Sequence, residues 1–270
     1  MEGSEIRCWN ELFPDVLWLI FSKISFEEKL TVIPRICKSW RKVVLGLYCW
    51  QVIDILAWSH YRPKQLAWKG INFEEWIFQL DQMLRMLIIR CSGAPRKLCV
   101  SDIPNDAIFS FIANHASSLE TLQMPGSKIS DSIVEKVAGK MCAITFLDLS
   151  YCDNIGALAL EAFGSNCRLL SSLKRNMHSP SLSGVCQDDE ARAIASTMPE
   201  LKHLEIADTN ITTEGVLDIL SGCQKLVFLD VRGCWDVKLD DKVLNEKWSG
   251  MKVRRYYYCS FDDIPEGFVI

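Results

Sequence analysis

Twelve cysteines and four histidines are the residues of this chain whose chemistry could go beyond packing. A thiolate can act as a nucleophile when a histidine and an Asn or Asp stand beside it, and ligand-spaced Cys and His pairs can hold zinc. The sequence shows neither arrangement. No C-x-x-C pair occurs, and His60, His115, His178 and His203 are scattered without ligand spacing. Only the number of thiols favours a cysteine-dependent enzyme, so no catalytic residue, metal or cofactor is expected.

The cysteines recur for another reason. Cys152 and Cys234 each stand five residues after a leucine, Leu147 and Leu229, whereas Cys142, Cys167 and Cys223 stand five or six before one. A small, apolar, weakly donating side chain at a repeated place suits a narrow buried slot. A serine in that slot is expected to carry an unpaired hydroxyl.

The elements that would hold those slots are visible in a doubled phrase, TFLDLSYCDNI at Thr145–Ile155 and VFLDVRGCWDV at Val227–Val237. LETLQM from Leu119 and LKHLEI from Leu201 repeat its core, and PRKLCV, LSSLKR and the segment around Val253 are weaker versions. Their central residues are Leu98, Leu122, Leu147, Leu173, Leu204, Leu229 and Val253, spaced by 24, 25, 26, 31, 25 and 24. Between them lie apolar residues at helical spacing, such as Ile108, Phe111 and Ile112, or Val216, Leu217 and Leu220. Each unit reads as strand, turn, helix. Units of this period cannot bury their apolar faces singly, so the expected fold is α/β, a right-handed solenoid of about seven repeats. The one long interval contains NMHSPSLSGVCQDD, Asn176 to Asp189, expected to bulge as a surface loop. Residues 95 to 254 resemble the cysteine-containing leucine-rich repeats.

Composition limits the partners. The 270 residues are 49% hydrophobic and 24% charged with a formal net charge of -4, which gives no basic field to gather a nucleic acid. No apolar run approaches the length of a membrane helix, and the opening MEGSEIRCWNELFPD is acidic and polar where a secretory signal would be basic. The expected location is nucleus or cytoplasm, where thiols stay reduced.

Residues 9 to 50 follow a different logic, with dense apolar residues and no rungs, and read as three short helices. Leu17, Ile20, Phe21 and Ile24 form one stripe, and Leu30, Val32, Ile33, Ile36, Trp40 and Val43 another. About forty residues cannot enclose this much apolar surface, so part must face the solenoid end or another protein. The boundaries read as 1–58 for this segment, 59–79 for a connection with Leu80 to Cys91 as the helix entering the ladder, 80–258 for the repeats and 259–270 for a tail.

Phe13-Pro14, Ile20-Phe21-Ser22, Ile24, Leu30, Ile36-Cys37-Lys38, Trp40-Arg41 and Trp50 resemble an F-box, with Phe13 where Leu is usual. F-box followed by leucine-rich repeats resembles a plan known from plant substrate receptors of cullin-RING ubiquitin ligases. The resemblance implies docking on a Skp-type adaptor and, through it, a cullin, with Pro14, Leu17, Ile20, Phe21, Leu30 and Trp40 matching the adaptor-facing motif. A basic excess around Lys23, Lys29, Arg35, Lys38, Arg41 and Lys42 could steer an acidic partner.

Strand alternation completes the expectation. If Leu122 and Met124 face the core, the same parity turns Phe146, Asp148, Lys174, His203, Glu205, Phe228, Asp230, Arg232 and Tyr256 outward as a target-binding face. Aromatic and arginine side chains in that register suit a protein substrate. About seven rungs would enclose little volume, so no small-molecule ligand is expected. The function implied is a non-catalytic substrate-recognition subunit of an SCF-type ubiquitin ligase; the alternative is a leucine-rich-repeat scaffold without ligase association.

Overall fold

A computed structural model describes residues 9, 12–56, 73–92, 94–178 and 185–255. Four short helices open it, α1 (Pro14–Phe21), α2 (Phe26–Thr31), α3 (Ile33–Ile36) and α4 (Lys38–Val44), followed by a 3-10 turn at Leu47–Trp50 and strand β1 (Val52–Asp54). Helix α5 (Phe73–Arg90) leads into β2 (Lys97–Cys99). The chain then alternates α6 (Asp106–His115), β3 (Thr121–Gln123), α7 (Asp131–Val137), β4 (Phe146–Asp148), α8 (Ala157–Asn166) and β5 (Ser172–Lys174). It ends on α9 (Asp188–Thr197), β6 (His203–Glu205), α10 (Thr213–Gly222), β7 (Phe228–Asp230), α11 (Asp241–Lys247) and β8 (Lys252–Arg254).

All strands form one parallel sheet in chain order, β1 to β8. The register is unshifted, so Ile53, Leu98, Leu122, Leu147, Leu173, Leu204, Leu229 and Val253 stand opposite one another along the sheet. Parallel neighbours need a crossover, and a period in the twenties leaves room for one helix per rung. The strand centres face the helices, and their flanking residues face away.

Hydrogen bonds repeat with the same period. Asn105, Ser130 and Thr212 cap α6, α7 and α10 through their side chains. The first residue of a helix then clamps the next unit: Asp106 accepts from Ser130 N at 2.8 Å and Ser130 Oγ at 2.6 Å, and Asp188 accepts from Thr212 N at 2.8 Å and Oγ1 at 2.7 Å. Asp131 accepts from Gly156 N at 2.8 Å. One carboxylate thus satisfies a backbone donor at the start of the following helix.

The seven expected rungs are strands β2 to β8, and β1 adds an eighth. Ile53 and Ile55 are buried there as Leu98 and Val100 are in β2, but a 45-residue interval hides the periodicity. Strand β1 lies just beyond residues 9 to 50, inside the 1–58 segment placed ahead of the ladder, and residues 9 to 50 carry four helices and a 3-10 turn rather than three helices. The helix entering the ladder begins at Phe73, not Leu80, and its Trp76 is buried in the core; Trp68 lies outside the described residues. A single continuous core runs from Leu17, Phe21 and Trp50 through Leu98 and Leu173 to Leu244. The first helices are therefore part of the ladder's core rather than a separate body.

Candidate functional site

The cysteine slots are structural. Cys152 Sγ donates to Met124 O at 3.3 Å and Cys234 Sγ to Ile206 O at 3.1 Å, in each case reaching back to the preceding rung. Cys167 Sγ reaches Met141 O at 3.3 Å and Cys223 Sγ reaches Met198 O at 3.4 Å at the helix ends. Burial pushes the Cys152 thiol up to about 11 and those of Cys167 and Cys223 up to about 12, which keeps them protonated and unreactive. Ser127 and Thr209 occupy the place of Cys152 and Cys234 in their own rungs and are also buried and bonded, Ser127 Oγ accepting from Ile103 N and Thr209 Oγ1 donating to Ile206 O. The slot thus takes any small side chain with a hydrogen-bonding atom. A serine at Cys152 has Met124 O to bond, so its hydroxyl is not left unpaired. Cys142 corrects the expectation differently: it is exposed, because Met141, one residue earlier, fills the buried column. Among the described residues no group of three or more His, Cys, Asp or Glu could hold a metal, and no helix is long and apolar enough to cross a membrane.

Two surfaces remain as sites. The first is on the opening helices. Leu17 and Phe21 are fully buried, and Phe21 packs edge-on to Trp40 with ring centroids 5.2 Å apart, so these two residues hold the helices together and present no surface to a partner. Of the other sequence-derived positions, Pro14 is exposed and Ile20, Leu30 and Trp40 are half-buried against the core. Trp40 donates from Nε1 to Trp9 O at 3.1 Å. The apolar residues that do face outward are Phe13 at 78% exposure, Val16, Leu19, Val32 and Ile36. The F-box resemblance points to positions that include Leu17 and Phe21; the signal for the outer row is Phe13, Val16 and Leu19 at three-residue spacing, a second apolar row along α1 and its N-cap on a helix that can bury only one.

The second surface is the face of the sheet turned away from the helices. One row across it runs Thr121, Phe146, Ser172, His203, Phe228 and Lys252, and the next Gln123, Asp148, Lys174, Glu205, Asp230 and Arg254. The structure therefore brings Phe146, Asp148, Lys174, His203, Glu205 and Phe228 onto one face, with Asp148 directly opposite Lys174 and Phe146 separated from His203 and Phe228 by β5. Lys174 Nζ pairs with Glu205 at 3.0 Å, and the His203 and Phe228 rings lie 6.2 Å apart. The Arg254 guanidinium sits 5.8 Å from the Phe228 ring. Burial raises the Asp148 carboxyl above its ordinary range, opposed by bonds from Ser150.

Asp230 departs from the expected exposure. Its side chain is 1% exposed and accepts from Arg232 Nη2 at 2.7 Å and Nε at 2.9 Å, with Arg254 Nη1 at 4.0 Å. A buried carboxylate survives only when paired, so Asp230 anchors Arg232 and is not itself available to a target. Tyr256 lies outside the described residues. The sequence reading missed Tyr151, whose ring stacks on His178 with centroids 4.3 Å apart at the edge of this face, and Val52 and Asp54, which β1 adds to it.

A Leucine Rich repeat family model matches residues 140–164 and 198–220. F-box protein FBW2 of Arabidopsis thaliana is 51% identical over 253 residues, covering 93% of this chain and 76% of that protein. F-box protein SKIP1 of the same plant is 30% identical over 265 residues, covering 93% of this chain and 85% of the relative. A crystal structure of the Rad7 and Elc1 complex in yeast is similar at 14% identity and a TM-score of 0.42, covering 72% of this chain and 51% of that one. The fold is a leucine-rich-repeat solenoid fronted by short helices, and the chain belongs to the F-box/leucine-rich-repeat proteins.

Proposed function

We propose that this protein is a non-catalytic substrate receptor of an SCF-type ubiquitin ligase, acting in the nucleus or cytoplasm. The observation that carries the reading is the set of exposed apolar side chains, Phe13, Val16 and Leu19 along α1 and Val32 and Ile36 flanking and ending α3, on helices whose inner sides are already buried in the ladder's core. Exposed apolar surface of that extent on a folded domain marks a protein interface, and in this family a Skp-type adaptor is the natural occupant, with a cullin beyond it.

The helix-free face of the sheet would then hold the protein substrate. His203, Phe228 and Arg254 form a contiguous aromatic and cationic patch, with Lys174 and Glu205 beside it and Phe146 and Asp148 farther along. Ubiquitin transfer would follow from proximity, since the receptor lends position and no reacting group. The test is co-purification of the full chain with a Skp-type adaptor. Stable association that Phe13→Asp abolishes supports the reading; folded wild-type protein that never associates leaves only a repeat scaffold.

A further inference from the structure

The sheet face changes in charge along its length. Towards β1 the outward cations have acids of their own: Lys97 Nζ stands 3.6 Å from Asp54, and Arg96 Nη2 stands 2.6 Å from Glu120. Phe146 in β4 has the neutral Thr121 and Ser172 beside it in the register. Over β6 to β8 the balance fails. Glu205 is taken by Lys174 at 3.0 Å, and buried Asp230 accepts from Nε and Nη2 of Arg232. Lys252 and Arg254 are left, and both are exposed. Arg254 Nη1 stands 4.0 Å from the carboxylate that Arg232 already holds, and among the described residues no carboxylate pairs with Lys252.

These cations frame a ring. The neighbours of Phe228 in the register are His203 on one side and Lys252 on the other, and the Arg254 guanidinium lies 5.8 Å from the ring centre. A guanidinium beside a ring keeps N–H donors for an acid. The complement of such a surface is an apolar side chain laid on Phe228 and His203 with carboxylates next to it. Strands are about 4.8 Å apart and an extended chain advances about 3.3 Å per residue, so an acid about one or two positions from the anchor reaches Lys252 or Arg254. Asp230 sets the charge of that acid. A phosphate dianion at Arg254 would meet the buried carboxylate behind it with about twice the repulsion felt by a singly charged Asp or Glu.

We infer that strands β6 to β8 bind an acidic segment of the substrate, in which Asp or Glu flank an apolar residue seated on Phe228. The inference rests on the reading of this face as the substrate-holding surface and adds the chemistry of what it holds.

A labelled peptide with one Phe between two pairs of Asp is titrated into the full-length chain at several salt concentrations, beside the same peptide with Asn, Lys or phosphoserine in place of Asp. Binding of the Asp peptide should weaken as salt rises, and the Asn and Lys peptides should bind at least about tenfold less tightly. Lys252→Gln and Arg254→Gln should each weaken the Asp peptide by about three- to tenfold and flatten its salt dependence, with melting temperatures unchanged because both side chains are exposed. Phe228→Ala should weaken it by a similar factor at every salt concentration. Equal binding of the Asp and Asn peptides, or Asp-peptide binding that survives both Gln substitutions, overturns the inference. Tighter binding of the phosphoserine peptide makes the face a phosphate reader and also overturns it. A chain that recovers Skp-type adaptor but does not bind the Asp peptide overturns the inference and leaves the receptor reading standing. A chain that binds the Asp peptide as expected but recovers no adaptor supports the inference and removes the ligase reading.

Discussion

Arg175 stands two residues after its rung leucine, where other rungs carry Val100, Met124, Leu149, Ile206 and Val231, and it is just as buried. Its guanidinium pairs with Glu190 through Nε at 3.0 Å and Nη2 at 3.1 Å, and Nη2 also donates to Ile155 O at 2.6 Å. The partner comes from α9, just past the long Asn176 to Asp189 interval, and Gln187 Nε2 donates to the same carboxylate at 3.0 Å. Arg175→Leu should cost about 3–5 kcal/mol in urea unfolding by leaving Glu190 buried without its cation, and Arg175→Leu with Glu190→Leu should recover most of that loss. Equal stability of the single and double variants would remove the argument. The thiols make a second prediction. Cys152, Cys167 and Cys223 have folded pKa values near 11 to 12 against an ordinary 9.0, so they favour the fold while protonated. That contribution is whole below about pH 9 and is lost as pH rises through 9 towards 12, because the unfolded chain ionises first. In native protein at pH 8, thiol reagents should mark the exposed Cys142 and Cys186 ahead of these three, read by mass spectrometry.

Elements were legible where their spacing was regular. Leu122, Leu147, Leu204 and Leu229 identified their rungs because each unit spends about the same chain on one turn, one helix and one strand. Strand β1 was hidden, since an 18-residue helix separates Ile53 from Leu98 and breaks the period. In the F-box, the motif pointed to Leu17 and Phe21, yet only packing distinguishes a residue that faces a partner from one that faces the helix beside it. Asp230 was misread for a related reason: strand parity gives the face but not the arginine two residues on that draws the carboxylate inward. Helix-to-helix spacing carries a testable constraint of its own. A Cβ on Gly222 of α10 would lie 2.1 Å from Ala195 O of α9, a backbone atom that cannot swing aside. Gly222→Ala should therefore destabilise by about 1–3 kcal/mol in thermal or urea unfolding, and a neutral effect would mean these helices pack less closely.

At the scale of the molecule, one core joins the opening helices to the ladder, which fixes the direction from docking face to sheet face. A receptor needs that rigidity, because a partner held at one end must present a substrate held along the other at constant distance. The target face should be tested away from Arg232, whose removal would strand buried Asp230. His203→Ala with Phe228→Ala removes the adjacent rings and leaves that pair intact. The most direct measurement is quantitative affinity purification of wild-type and His203→Ala/Phe228→Ala protein from cells with the proteasome blocked. The account predicts equal recovery of Skp-type adaptor and cullin with both, and a set of proteins captured by wild type that the variant loses. Recovery of the same proteins with both forms, or of no adaptor with either, would contradict it.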